Sequence, residues 1–138
     1  MPTALNVKAE RFWPAVPEHI WDSIRGEFTL PTATDLETHF QALGQPEAMR
    51  RAIRVFIGEE TFCPGFQLND GYFHEPALRL FDHAMSLKVL HNVFAAWMVR
   101  PLPAESHSRP VDMLGSMTVL QSSLAAFADR YRPVEKRQ

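Results

Sequence analysis

The side chains with the widest chemical reach in this sequence are six histidines and one cysteine. His19, His39, His74, His83, His91 and His107 carry the imidazole nitrogens that zinc, copper or haem iron would take. A preformed helical site needs two of them three or four residues apart, so that both face one way. None of the six stands at that spacing. His83 and His91 are eight residues apart, about 80° around a helix, which neither builds nor forbids a shared site. No pair of carboxylates has the Glu-x-x-His company of a di-iron bundle. The sequence predicts no metal and no cofactor.

Cys63 lies in Thr61-Phe62-Cys63-Pro64-Gly65, where a turn can expose the thiol and His74 can lower its pKa and activate it as a nucleophile. The competing expectation is a small core-filling thiol, since free cysteine is among the most buried residue types. If the thiol is active, Phe62, Cys63, Phe66, Tyr72, Phe73 and His74 would form an aromatic ligand pocket with the thiol and imidazole at its edge. The chain has no Gly-x-Gly-x-x-Gly, no Walker loop and no Gly-x-Ser-x-Gly elbow. Enzymatic activity is therefore without sequence support.

A third chemistry is phosphate and guanine recognition by arginine. The segment 34–57 has the outline of a helix-turn-helix: a short helix, a Gly44-Gln45-Pro46 turn, and a second helix that presents Arg50, Arg51 and Arg54. Glu47 stands three and four residues before Arg50 and Arg51, where it can simply pair with them on a solvated face. The chain has 14 basic and 16 acidic side chains and a net charge of −2, so no overall field draws it onto nucleic acid or anionic lipid.

Helical periodicity supplies the elements that hold these residues. Pro17 opens a first helix in which Ile20, Trp21, Ile24 and Phe28 face inward, after an apolar lead-in of Trp13, Pro14 and Val16. Thr34 and Glu37 have the spacing of a capping box for a second, with Leu36, Phe40 and Leu43 on its apolar face and Gly44 at its end. Pro46 opens a third helix, to about Ile57, with Met49, Ala52, Ile53 and Phe56 on one side. Phe62 to His74 reads either as a small β-hairpin turning at Asn69, Asp70 and Gly71, or as an irregular loop pinned by its rings. Glu75 and Pro76 open the longest helix, carried to about Val99, whose run from Val93 to Val99 is apolar on all sides and must be surrounded.

The last helix is the clearest. Met113, Met117, Leu120, Leu124, Phe127 and Tyr131 recur at intervals of 4, 3, 4, 3 and 4, the stripe of a coiled-coil seam. The stripe can pack on the long helix of its own chain or on a second copy, and the sequence leaves both open. Residues 133–138 are charged and read as a frayed tail.

These readings combine into a mainly α, compact domain of about five helices spanning 1–138. At 46% hydrophobic and 22% charged, the chain has the composition of a globular protein rather than a disordered one. A lone cysteine, no basic-then-apolar leader over Met1–Glu10 and no apolar run near 18 residues make a cytoplasmic, non-membrane protein the expectation. The expected role is a non-catalytic binding or regulatory protein of bacterial or mobile-element type, acting on a protein partner or on itself as a homodimer. Its surface would be Trp97, Met113, Met117, Leu120, Leu124 and Phe127. DNA binding through Arg50, Arg51 and Arg54 is the second expectation, and the aromatic ligand pocket is the third.

Overall fold

The computed structural model describes residues 15–131. Trp13, Pro14 and the tail 133–138 lie outside that range. Among the described residues are five α-helices, several 3-10 turns and two small antiparallel hairpins, a mainly α fold.

Helix α1 (Glu18–Glu27) starts behind Pro17 and buries Trp21 and Ile24, as its apolar spacing predicts. At its end Thr29 takes a φ of 87°, a strained angle for a β-branched residue. Gly65 holds that turn by donating its N–H to the Thr29 carbonyl at 3.0 Å. A Cβ on Gly65 would stand 2.0 Å from the Phe28 carbonyl oxygen, so only glycine fits. Arg109 fastens the far side of α1 through a two-pronged pair with Glu27 at 2.6 and 2.7 Å.

Helix α2 (Ala33–Ala42) starts two residues earlier than the Thr34–Glu37 box implies. The cap is Thr32, whose hydroxyl accepts from the Asp35 N–H at 3.1 Å, while Thr34 is already in the first turn. Leu36 and Phe40 are buried as expected, and Gly44 closes the helix at φ 74°.

The third expected helix is absent. Pro46–Arg51 forms one 3-10 helix, and Ala52 then turns extended into strand β1 (Val55–Ile57), paired with β2 (Glu60–Phe62). Three residues from Val55 to Ile57 are β-branched or aromatic and suit a strand. Two carboxamides complete the override. Gln67 accepts from the Ile53 N–H and donates to the Ile53 carbonyl, at 2.7 and 2.9 Å. Asn92 does the same for Phe56, at 2.8 Å on both sides. Side-chain amides thus stand where a neighbouring strand would, and the backbone groups stay paired without a helix.

Of the two readings of the aromatic segment, the hairpin is found. Strands β3 (Leu68–Asn69) and β4 (Tyr72–Phe73) pair around Asp70 and Gly71, with φ of 54° and 82°. The long helix is divided into α3 (Glu75–Ser86) and α4 (His91–Met98). Lys88 takes a left-handed φ of 63° between them, and the Val89 N–H bonds back to the Ala84 carbonyl at 3.0 Å. Val89 and Ala84 are both fully buried in the main core, so this bond is shielded from water.

Helix α5 (Met117–Tyr131) begins four residues after Met113, which belongs to the turn behind a 3-10 helix, Pro110–Asp112. It packs on α3. The main core unites Trp21 and Ile24 with Leu78, Phe81, Phe94, Trp97, Leu120 and Leu124. A second cluster holds Leu36, Phe40, Met49, Ala52 and Cys63.

Candidate functional site

The face of α4 decides where a site can stand. Its apolar residues are covered on most sides: Phe94, Ala95 and Met98 are fully buried, and Trp97 is nearly so between Phe94 and Phe127, ring centroids 6.2 and 6.5 Å away. Ala96 and Val99 are only half-buried. With Val93 and Trp97 they form one wall of an open cleft of about 330 Å³. The lead-in and first turn of α1, Ala15, Val16, Pro17 and Ile20, form the opposite side, and Phe127 of α5 also lines it. Pro101 and Arg100 also line it, and Arg100 is the one charged residue among the described residues of the lining. Arg100 is exposed and forms no ion pair among the described residues.

Such a lining can bury an apolar group and offers no nucleophile, base or metal ligand. Two of its residues, Trp97 and Phe127, belong to the expected partner surface. The others of that surface lie elsewhere: Leu120 and Leu124 are fully buried inside the chain, and Met113 and Met117 are half-buried against the main core. The seam is thus largely consumed within the subunit. Sequence reasoning missed Val16, Ile20, Ala96 and Val99. The signal available for them was the all-round apolar run of α4, which requires cover that β1 and the 3-10 helix Pro110–Asp112 supply on only some sides.

The arginines expected to read DNA diverge, because the helix meant to carry them is a 3-10 turn followed by an extended segment. Arg51 pairs with Glu75 at 2.8 Å and Asp82 at 3.1 Å rather than with Glu47. Arg54 turns inward and donates to the Met49 and Ala52 carbonyls, at 3.0 and 3.3 Å. Only Arg50 of the three is exposed without a side-chain partner among the described residues.

The expected aromatic pocket is likewise divided. Phe66 is in the main core and crosses Phe28 edge-on, whereas Phe73 stacks on Phe40 with centroids 4.7 Å apart. Phe62 is half-buried against the main core, and Tyr72 is exposed. Cys63 is completely buried, and that burial pushes its thiol up to about 11. The charges acting on it are those of Arg54 and Glu37, and His74 is not among them. Thiolate chemistry near neutral pH has no support in this environment.

Two of the histidines bond to backbone carbonyls. His39 Nε2 bonds to the Gly71 carbonyl at 2.7 Å, and His91 Nδ1 to the Arg54 carbonyl at 3.1 Å. His91 sits between Phe56 and Phe81, and burial holds its pKa below the usual imidazole value. Among the described residues no group of three or more His, Cys, Asp or Glu side chains is placed to hold a metal ion. No described helix is long and apolar enough to cross a membrane. No family model matches the sequence, and neither a curated protein nor a solved structure matches it.

Proposed function

We propose that this chain is a non-catalytic binding protein whose working surface is the apolar cleft between the start of α1, α4 and Phe127. The observation that carries this reading is the face of α4 left uncovered among the described residues, where Val93, Ala96, Trp97 and Val99 line an open concavity. Concave, mainly apolar lining with a single charged group is the usual anatomy of a ligand site. A binding event there hides apolar surface worth about 25 cal/mol per Å² removed from water. A regulatory role follows if what enters the cleft changes how α1 and α4 sit against each other, since both line it. The buried seam of α5 makes a long paired-helix dimer the weaker form of self-association, and a second copy would have to insert an apolar group into the cleft.

Native mass spectrometry of the full chain, drawn gently from its host, tests this reading when wild type is run beside Ala96→Glu. The wild type is expected to carry a stoichiometric second species, which the variant loses while keeping its circular dichroism spectrum. A bare monomer in both preparations would overturn the reading.

A further inference from the structure

We infer that the occupant of the cleft is a small apolar carboxylate, of the class of a medium-chain fatty acid, with its chain against Trp97 and its head group on Arg100. The inference rests on the cleft being the working surface, and it adds the chemistry of what enters. Size comes first. A volume of about 330 Å³ is at the lower end of the range that small-molecule pockets occupy, roughly 300–1,000 Å³. A partner helix, about 10–12 Å across with its side chains, is too wide to enter bodily.

Charge comes second. Among the described residues, every other one that lines the cleft is apolar, so a wholly polar ligand would lose its hydration there without replacement. Among the described lining residues Arg100 alone can repay a polar group, and its planar guanidinium matches a carboxylate through two parallel hydrogen bonds. Three other arginines, Arg25, Arg51 and Arg109, already make this pairing and each hold at least one carboxylate within 3.1 Å, whereas Arg50 and Arg79 are exposed without one among the described residues but do not line the cleft. Arg100 has no such partner among the described residues, and it is the arginine that lines the cleft. An apolar chain ending in a carboxylate satisfies wall and rim together.

The test uses decanoate and decanol as probes of equal chain length, titrated into the full chain and followed by methyl NMR. Decanoate is expected to bind one to one, with shifts concentrated on Ile20, Val93 and Val99. Decanol should bind more weakly. Arg100→Gln should weaken decanoate about tenfold, the scale of one charge-assisted contact at an open site, and leave decanol unchanged. Arg100 is exposed, so the variant should fold as wild type does.

Equal affinity of the two probes for the wild type, or no change in Arg100→Gln, would overturn the inference. Failure of both probes, with nuclear Overhauser contacts from the Trp13 indole to the Val93 and Val99 methyls, would overturn it by showing the chain's own side chain in the cleft. A stoichiometric protein partner lost from Ala96→Glu, together with no decanoate binding, would overturn it while leaving the cleft as the binding surface.

Discussion

Two apolar regions of this molecule begin with similar residues and end differently. Between Phe62 and Phe73 the aromatic rings each find a partner, Phe66 in the main core, Phe62 half-buried against it and Phe73 on Phe40, and only Tyr72 is left exposed. Along α4 the apolar residues are just as dense, yet a concave face stays open. The difference lies in the backbone. A loop can bend to give each ring its own partner, and here it uses Gly65, Asp70 and Gly71 to do so. A helix sends side chains out at fixed intervals of about 100°, so an all-round apolar helix needs cover from every direction at once. Strand β1 and the 3-10 helix Pro110–Asp112 pack on α4, with Phe81 of α3 and Phe127 of α5 adding ring contacts, and among the described residues a cleft stays open on its remaining face.

If this contrast is right, breaking the loop's bends should be far more damaging than altering the cleft. The largest effect is expected from Gly65→Ala, whose new methyl would meet the Phe28 carbonyl at 2.0 Å. A loss of about 3 kcal/mol or more in urea unfolding is expected, on the scale of overpacking against rigid backbone. A loss under about 1 kcal/mol would show that the Thr29 turn relaxes and that the loop is not held as described. Gln67→Leu comes next. It leaves the buried Ile53 N–H and carbonyl without their side-chain partners, and about 2–3 kcal/mol should go. Asn92→Leu makes the same deletion at half-buried Phe56, where water can substitute, and should cost less. Equal losses would contradict the burial difference between the two sites.

Two helix ends show how much of this architecture was legible in the sequence. Helix α2 stops with the Gln45 N–H on the Phe40 carbonyl and Gly44 left-handed. Helix α3 stops with the Val89 N–H on the Ala84 carbonyl and Lys88 left-handed. The hydrogen bonds are alike, but glycine announces the first stop and lysine conceals the second. The helix over 46–57 failed for a different reason. Its periodicity was sound, but the amides that hold Ile53 and Phe56 extended come from Gln67 and Asn92, 14 and 36 residues away. Five helices were expected and five α-helices are found among the described residues because one was lost and one was divided. For the site, Trp97 and Phe127 were legible as large rings, whereas the role of Ala96 depends on which neighbours fail to cover it. Lys88→Gly should stabilise the protein by about 0.5–1 kcal/mol by relieving the left-handed strain, read as a higher urea midpoint at unchanged slope. No gain would mean the lysine stem contributes packing that glycine removes.

His91 adds a pH dependence to the same junction, because it opens α4 and is packed between Phe56 and Phe81. Burial lowers its pKa in the folded state from the usual 6.5. The unfolded chain then binds the proton first, so stability is complete above about pH 6.5 and falls as pH drops through and below it. Unfolding free energies measured from pH 7.5 to 5 should show this decline, and His91→Gln should flatten that part of the profile. A decline that survives the substitution would assign it to another group.

The smallest effect on stability belongs to the cleft itself. Ala96→Glu places a carboxylate at a half-buried position bordering open space, where its end can reach water, and should shift stability by no more than about 0.5 kcal/mol. The same substitution should abolish occupancy of the cleft. That pairing separates a surface kept open for binding from a packing defect of the kind the loop avoids. An accidental gap in the core would gain stability when filled, so Ala96→Leu distinguishes the two directly. A rise of about 1 kcal/mol, the hydrophobic return on about two buried methylenes after imperfect fit, would mark the cleft as a gap. An unchanged urea midpoint with loss of the bound species would mark it as a site.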